Sequence, residues 1–356
     1  MNPRATIKIG TRGSPLALAQ AESVAAPLRA LGSEVEIVPV RTEGDRRLEV
    51  PLAAIGGKGL FVREIEEMLL AGTLDCAVHS LKDLPAETPA GLALAAFPAR
   101  EDPRDVLVTR EPNTFESLRP GARLGTGSPR RRALALALRA DLVVEPVRGN
   151  VGTRLGKLER EGLDGVLLAA AGLKRLGVTP RHVQPLDPET FVPAVGQGVL
   201  TVETRADDRR VLAALGRLDH AATRACALAE RACLARLGAS CNSPVAAHAI
   251  LDGAALRMTA IVASDDGRKL LRATVSGAAG DGPSLGRRAA DALLAQGAAT
   301  VAPLRPVACW GEPGARPRSG LSRGGRSWSP VRGRRRSGSS SCWRPRGRAC
   351  CRHRRS

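Results

Sequence analysis

Short apolar runs alternate with amphipathic segments along most of the chain, and this pattern predicts alternating strands and helices. Near the N-terminus, the apolar run 6–10 predicts a strand. Ser14 and Pro15 then supply the N-cap and first position of a helix over 16–31. An alternation of this kind is typical of a doubly wound α/β domain.

The same alternation continues toward the C-terminus and ends in a region of a different type. Further strands are predicted at 34–41, 76–79, 92–97, 105–109, 123–126, 142–147, 165–170 and 199–204, followed by three strand-like runs between 243 and 284. Helices are predicted at 60–70, 129–140, 151–161, 224–237 and 284–296. We expect an α/β domain 1 formed by 1–98 with 199–216, an α/β domain 2 at 104–192, and a small α+β domain 3 at 221–304.

The positive charge is concentrated in a C-terminal tail at 305–356. The chain has a net charge of +19, and this tail holds 15 Arg against one acidic residue, so that only +5 belongs to the rest. The tail also contains all three Trp and has no hydrophobic period. It is either a disordered basic arm for nucleic acid or an unselected extension such as an out-of-frame segment. We favour the second interpretation.

Cysteine usage and hydropathy predict a cytoplasmic protein without a metal. No pair among Cys76, Cys226, Cys233 and Cys241 forms a C-x-x-C motif, so neither a zinc knuckle nor a disulfide framework is predicted. The N-terminal residues lack the pattern of a signal peptide, and no apolar run approaches the roughly 18 residues of a membrane helix.

Two related loops predict an anion-binding cleft. Residues 10–15 (Gly-Thr-Arg-Gly-Ser-Pro) and 125–129 (Gly-Thr-Gly-Ser-Pro) both lie between a predicted strand and a predicted helix start. Such loops expose backbone N–H groups and the positive end of a helix dipole, although ordinary turns can have the same composition. Arginines suited to carboxylates accompany them, namely Arg12, Arg130, Arg131, Arg148 and Arg154.

Three further segments carry candidate chemistry. Asp83 follows a strand end and is a candidate acid–base group, with Lys82 beside it for a substrate carboxylate, although an Asp before Leu-Pro is also a common turn former. Cys241 lies in a loop of small residues and is either a reactive thiol or a packed one. Residues 56–59 (Gly-Gly-Lys-Gly) lack the full phosphate-loop pattern, which excludes nucleotide hydrolysis by that motif.

Taken together, these motifs resemble the porphobilinogen deaminase family over roughly residues 6–300. The resemblance rests on 10–17 (GTRGSPLA), 56–61 (GGKGLF), 79–83 (HSLKD), 148–154 (RGNVGTR), 170–176 (AAGLKRL) and 193–198 (PAVGQG), in this order, with Cys241 in its loop. It implies two domains related to the two-lobed solute-binding-protein fold and a small third domain.

The resemblance also implies a cofactor and a set of site residues. A dipyrromethane cofactor, made from two substrate units, would be joined by a thioether to Cys241, with Asp83 as the catalytic aspartate. Cofactor binding would fall to Lys82, Asp83, Ser128, Arg130 and Arg131, and substrate binding to Arg12, Ser14, Arg148, Arg154 and Arg175.

The implied reaction explains these residue types. Four porphobilinogen molecules would be joined head to tail with loss of ammonia, and hydroxymethylbilane would be released for haem and other tetrapyrroles. Each porphobilinogen brings an acetate and a propionate, so the growing chain needs many arginines. Loss of ammonia leaves a cationic azafulvene that a carboxylate such as Asp83 would stabilise.

Two other classes of protein compete with this interpretation. A solute-binding protein for organic anions shares the two-lobed plan, but it gives no reason for Cys241 or Asp83 and normally carries an export signal. A nucleic-acid-binding protein rests on the tail alone, since the body lacks interleaved aromatic and basic residues. We therefore expect a monomeric transferase that binds porphobilinogen and contacts neither nucleic acid nor a membrane.

Overall fold

The computed structural model describes residues 6–42, 62–240 and 242–305, and these form an α/β structure. The strands are β1 (Ile7–Arg12), β2 (Val35–Val40), β3 (Cys76–Ser80), β4 (Leu92–Ala96), β5 (Asp105–Thr109), β6 (Arg123–Gly125), β7 (Val143–Glu145), β8 (Gly165–Ala169), β9 (His182–Pro185), β10 (Leu200–Arg205), β11 (Val245–Asp252), β12 (Ala255–Ala263) and β13 (Leu270–Ala278). The helices are α1 (Pro15–Ala30), α2 (Arg63–Leu70), α3 (Pro129–Leu138), α4 (Val151–Arg160), α5 (Ala170–Arg175), α6 (Arg209–Gly216), α7 (Ala221–Leu237), α8 (Gly282–Ala295) and α9 (Ala298–Val301). Motif 56–61 and Cys241 lie outside the described residues, as does the predicted tail beyond Arg305.

Within the described residues, two five-stranded sheets share one strand arrangement. The first has the order β2-β1-β3-β10-β4 and the second the order β7-β6-β8-β5-β9. In each, the first three strands are parallel and the fourth is antiparallel to both of its neighbours. The shared order supports two related α/β domains, as the family resemblance implies.

The third sheet belongs to a smaller α+β unit near the C-terminus. Strands β11, β12 and β13 form an antiparallel meander. Helices α7 and α8 cover one face, with Cys233 and Leu293 in the shared apolar core. This arrangement confirms the expected small α+β region after two α/β regions.

Two segments cross between the two larger sheets. The first, 97–104, leads from β4 to β5, and the second, 186–199, leads from β9 back to β10. Strand β10 pairs with β3 and β4, which confirms the predicted return of the chain to the first sheet. The exact residue limits of the three domains stay a prediction.

A buried ion pair connects both crossing segments to the third unit. Arg100 Nη1 in the first segment lies 2.6 Å from Oε1 of Glu230, whose side chain on α7 is fully buried. Glu230 also accepts hydrogen bonds from Gly196 N in the second segment and from Ala249 N in β11. Burial alone would raise the pKa of Glu230, but the charge of Arg100 and the neighbouring His248 lower it to about 2.

Replacing Glu230 by glutamine is expected to lower the free energy of unfolding by about 3–5 kcal/mol, because Arg100 would stay buried without its counter-charge. Since the folded pKa of Glu230 lies below 4.5, its contribution to stability is present above about pH 4.5 and is lost as the pH falls toward 2. Urea unfolding at pH 7 and pH 3 measures both effects. The exposed Glu22 in its pair with Arg29 is the control, and Glu22→Gln should cost at most about 1 kcal/mol. Equal losses for the two variants would contradict this account.

Predicted helices and strands agree with the observed ones except in short segments. The sequence does not predict helices α5, α6 and α9 or strand β9, because they are too brief to show a hydrophobic period. Helix α7 begins three residues before its predicted start, since the His220 side chain accepts a hydrogen bond from Thr223 N and caps the helix. Across the described part of the chain, every helix is too short or too polar to span a bilayer.

Candidate active site

Both strand-to-helix loops form the N-terminal caps that the sequence predicts. Ser14 Oγ accepts a hydrogen bond from Ala17 N at 3.2 Å, and Ser128 Oγ accepts one from Arg131 N at 3.4 Å. Pro15 and Pro129 occupy the first helical positions. Each loop follows a strand of a parallel ladder, so that helix N-termini lie at the carboxyl edges of both sheets, where anions are favoured.

Helix N-termini from both sheets meet at Gly172 in α5. A Cβ built on this glycine would lie 3.8 Å from a methyl group of Val151 and 4.0 Å from one of Leu16. Val151 begins α4 in the second α/β region, and Leu16 lies in the first turn of α1 in the first region. The N-terminal turns of α1 and α4 therefore both lie next to α5.

The loop before α4 places two of the predicted arginines. Gly149 has a φ of 110°, and a Cβ there would meet Thr153 at 2.6 Å, so this turn requires glycine. The turn brings the Gly149 carbonyl to Nε of Arg154, which donates a 2.8 Å hydrogen bond. Arg148 is half-buried beside Gly127 of the second loop.

Arg130 and Arg131 are buried around one carboxylate that the sequence did not reveal. Nη1 of Arg130 lies 2.7 Å from Oδ2 of Asp105, and Nε of Arg131 lies 2.8 Å from Oδ1. Burial raises the pKa of Asp105, but the charges of the two arginines outweigh it and lower the pKa to about 2. Two guanidinium groups thus share one fully ionised carboxylate, which leaves an excess positive charge in the protein interior.

Lys82 and Asp83 form a short turn beside this arginine cluster. Residues Leu81–Asp83 make a single 3-10 turn, in which Leu81 is buried and Asp83 is exposed. Burial lowers the pKa of Lys82 to about 8; Asp83 and Asp105 oppose this shift, and Arg131 and Arg130 add to it. The Lys82 amine therefore lies within electrostatic reach of both carboxylates and both guanidinium groups.

Arg154 belongs to the same electrostatic group. Burial lowers its pKa to about 10; the charges of Arg131 and Arg148 act in the same direction, and Asp83 acts against them. Arg131 and Arg148 thus add positive charge around a guanidinium group that is already poorly solvated. The resulting positive field favours ligands with several negative charges.

Two further predicted binding residues, Arg12 and Arg175, are not among the residues that bind Asp105. Arg12 ends β1 and is half-buried, so it lies in the strand and not in the turn after it. Arg175 ends α5, and its Nη2 donates a 2.7 Å hydrogen bond to the carbonyl of Gly198 in the second crossing segment. Burial lowers the pKa of Arg175, and Glu101 opposes the shift.

The described cysteines are packing residues. Cys76, Cys226 and Cys233 are all buried and free. Burial raises the pKa of Cys226 to about 11 and that of Cys233 to about 12, and it also raises the pKa of Cys76. Thiols of this kind are poor nucleophiles at neutral pH because they are almost fully protonated.

Sequence reasoning missed Asp105 and Gln197 as parts of the site. Gln197 is buried and donates from Nε2 to Oδ1 of Asp105 at 3.1 Å. A signal for Asp105 existed, since an acidic residue at the start of the apolar strand Asp-Val-Leu-Val-Thr needs a buried counter-charge. Among the described residues, no group of three potential metal-ligating side chains comes together.

These features define a class of protein: an α/β protein that gathers arginines, a lysine and helix N-termini around an exposed aspartate to act on a polycarboxylate. Comparison with known proteins gives the family. Residues 7–213 match the family model "Porphobilinogen deaminase, dipyromethane cofactor binding domain", and residues 224–295 match "Porphobilinogen deaminase, C-terminal domain". The chain belongs to the porphobilinogen deaminase family.

Named relatives agree with the family models over most of the chain. The porphobilinogen deaminase of Trichlorobacter lovleyi is 48% identical over 297 residues, which are 83% of this chain and 95% of the relative. That of Alkaliphilus metalliredigens is 48% identical over 298 residues, 83% of this chain and 94% of the relative. The predicted deaminase function, transferase class and dipyrromethane cofactor are confirmed.

Among solved structures, a periplasmic substrate-binding protein of an ABC transporter from Coxiella burnetii is similar to 60% of this chain and 91% of its own. Its sequence identity is 16% and its TM-score is 0.37.

Proposed function

We propose that this chain carries out the condensation of porphobilinogen with Asp83 as its catalytic carboxylate and Cys241 as the anchor of the dipyrromethane. The observation that carries the proposal is the electrostatic group around Lys82. An exposed carboxylate, Asp83, lies there beside a half-buried amine and two buried guanidinium groups. This is the arrangement that a reaction needs when it holds several carboxylates and develops a cation between them.

The binding residues divide into two groups by position. Arg130 and Arg131 bind the buried Asp105, Ser128 caps the helix that carries them, and Lys82 lies within electrostatic reach of the same carboxylate. We assign these four residues, together with Asp83, to the cofactor. We assign a second group to the substrate and the growing chain. It comprises Arg12 at the end of β1, Ser14 at the N-cap of α1, Arg148 in the loop before α4, Arg154 in α4 and Arg175 at the end of α5. Each condensation adds two carboxylates, and the positive field around Arg154 offsets their mutual repulsion.

The arginine cluster fits a carboxylate of the cofactor. Nε of Arg130 is buried and has no hydrogen-bond partner among the described residues. The excess positive charge shared by Arg130 and Arg131 calls for one more anion. When bound, the dipyrromethane supplies the primer whose free α-carbon is the nucleophile.

Asp83 has two tasks in this scheme. Its exposed carboxylate stabilises the positive charge that develops on porphobilinogen as ammonia leaves. The same carboxylate holds the proton that is released from the pyrrole carbon after the new bond forms. Lys82 and Arg154, which both interact electrostatically with Asp83, bind carboxylates of the ligands and keep the reacting pyrrole near it.

Cys241 is the anchor that fits best. The three described cysteines are buried thiols with raised pKa values, and Cys241 lies in a loop of small residues between α7 and β11. Its neighbours Ser240 and Asn242 are linked by a hydrogen bond from Asn242 N to Ser240 Oγ. Buried, protonated thiols are poor nucleophiles toward an azafulvene, which favours Cys241 over these three.

The proposal also covers the domain boundaries, the oligomeric state, the location in the cell and the C-terminal tail. We assign domain 1 to 1–98 with 199–216, domain 2 to 104–192 and domain 3 to 221–304. The enzyme acts as a monomer in the cytoplasm and binds neither nucleic acid nor a membrane. Residues 305–356 take no part in catalysis.

The charge of Lys82 predicts how cofactor acquisition depends on pH. Because its folded pKa is about 8, the amine loses its proton as the pH rises through 8, and its attraction for a carboxylate is lost with it. We expect protein freed of its dipyrrole to acquire the group from porphobilinogen more slowly at pH 9 than at pH 7. In Lys82→Arg the side chain stays charged, so this loss should disappear. Identical pH profiles for the two proteins would contradict the role of Lys82.

The experiment that tests the binding surface compares two arginines on one helix. Arg154→Leu removes a charge from the site, and Arg160→Leu removes one from the exposed end of α4. A charged hydrogen bond is worth about 1.5–3 kcal/mol, so Arg154→Leu is expected to lower kcat/KM for porphobilinogen by roughly 10- to 150-fold. Complexes with a fixed number of added pyrroles should accumulate, which native mass spectrometry detects. Arg160→Leu should behave like the wild type, and equal effects of the two variants would disprove the assignment.

A further inference from the structure

Asp105 is held more elaborately than a structural ion pair requires. It begins β5, is fully buried, and accepts hydrogen bonds from Nη1 and Nη2 of Arg130 at 2.7 and 3.1 Å. It also accepts one from Nε of Arg131 at 2.8 Å. Buried ion pairs contribute little net stability compared with apolar packing, so a cluster of this kind points to a purpose beyond folding.

Gln197 completes the cluster from the second crossing segment. Its Nε2 donates to Asp105 Oδ1 at 3.1 Å and to the Pro103 carbonyl at 2.7 Å. Its Oε1 accepts a longer hydrogen bond, 3.4 Å, from Nη2 of Arg131. The side chain of Gln197 therefore joins the acidic and the basic members of the cluster and ties both to the first crossing segment.

Backbone carbonyls fix the remaining edges of the two guanidinium groups. Nη1 of Arg130 donates to the Val192 carbonyl at 2.8 Å, and Nη1 of Arg131 donates to the Leu167 carbonyl at 3.0 Å. Each planar group is thus held at several points, which leaves it a single orientation. Of the nitrogens of these two guanidinium groups, the buried Nε of Arg130 has no hydrogen-bond partner among the described residues.

We propose that Asp105 and Gln197 are positioning residues that fix Arg130 and Arg131 to receive one ligand carboxylate. Asp105 neutralises one of the two positive charges, and Gln197 sets the plane of the Arg131 guanidinium group. The inference rests on the proposed function, because it takes Arg130 and Arg131 as ligands of a cofactor carboxylate. It adds that the cluster accepts a single carboxylate and that its geometry is set from the crossing segments.

The test uses two substitutions of Gln197 that differ in charge. Gln197→Met removes the amide while keeping the length of the side chain, so that the arginines lose their fixed orientation but keep their charge. Gln197→Glu instead places an anion next to Arg131, where it competes with the carboxylate of the ligand. Gln184 on edge strand β9 is the matched control, since its side chain also links two segments: it accepts a hydrogen bond from Phe115 N and donates one to Glu116.

The measurements are the intact mass of each purified protein and its kcat and KM for porphobilinogen. Gln197→Met should retain the covalent dipyrrole and lose about 10- to 100-fold in kcat with KM within about threefold of wild type, as expected for a misplaced cofactor. Gln197→Glu should carry the dipyrrole in less than about a tenth of the molecules, because the new carboxylate competes with the cofactor carboxylate for Arg131. A tenfold loss of this kind corresponds to roughly 1.4 kcal/mol of binding free energy. Gln184→Met and Gln184→Glu should match the wild type.

Three outcomes would overturn the inference. Wild-type kcat in Gln197→Met would show that the orientation of Arg131 does not matter. Equal cofactor contents in Gln197→Met and Gln197→Glu, with melting temperatures lowered in parallel, would assign Gln197 a structural role alone. A wild-type protein that carries no dipyrrole and does not turn over would instead disprove the proposed function and this inference with it.

Asp105→Asn is a second variant, and the folded protein is expected to show the same loss of kcat. Asp141→Asn, which changes the exposed pair with Arg139, is its control.

Discussion

Replacing Asp83 by asparagine is expected to reduce turnover of porphobilinogen by about 10³-fold or more. The amide keeps the size of the side chain but neither stabilises a cation nor holds a proton, and each of these functions is worth about 10²- to 10⁴-fold. Asp83 is exposed at the end of a single turn, so its loss should leave the folded structure intact. Steady-state release of ammonia measures the change.

Two further variants, Asp83→Glu and Asp207→Asn, serve as controls for this experiment. Asp83→Glu keeps the carboxylate but displaces it by about one methylene, so it should lose about 10²-fold or less and remain more active than Asp83→Asn. Asp207→Asn changes an exposed aspartate in the turn before α6 and should have no effect. If Asp83→Asn and Asp207→Asn turned over at equal rates, the assignment of Asp83 as the catalytic group would be wrong.

Replacing Cys241 by serine is expected to give a folded protein that lacks the covalent dipyrrole and has almost no activity. A hydroxyl is a far poorer nucleophile than a thiolate toward the azafulvene that forms the thioether. Without an anchored primer, each condensation would start from two free molecules, and an advantage of several orders of magnitude in effective concentration would be lost. Intact mass and turnover measure both effects.

The buried cysteines provide matched controls for this substitution. Cys226→Ala and Cys233→Ala each change a packed thiol on α7 with a raised pKa, and both proteins should keep the dipyrrole. Some loss of stability is expected because both side chains lie in the core of the third unit. A Cys241→Ser protein with a normal adduct would move the anchor to another residue.

Local signals in the sequence predict most of the fold. The Ser-Pro pairs at residues 14–15 and 128–129 mark helix starts because their chemistry acts within one turn. Strand β5 agrees with its predicted bounds because the apolar run is short and bordered by polar residues. Short elements such as α5 escape prediction, since Gly172 interrupts its pattern and its six residues span less than two turns.

The candidate site is harder to predict because its contacts are non-local. The sequence places Arg130 and Arg131 at a helix start facing an anion, yet it cannot show that Asp105, 25 residues earlier, occupies part of that space. Gln197 lies more than 60 residues beyond both arginines and still contacts one of them. Side-chain identity indicates which residues can bind a carboxylate, whereas the pairing of β8 with both β5 and β6 brings them together.

The central claim is that this chain carries a dipyrromethane on Cys241 and extends it with porphobilinogen. Its most direct test is the intact mass of the purified full-length protein, followed by peptide mapping. The account predicts a mass above that of the sequence by one covalent dipyrrole, located on the peptide that contains Cys241, with further increments of one pyrrole when porphobilinogen is added. A protein with the bare mass of its sequence that also fails to consume porphobilinogen would contradict it.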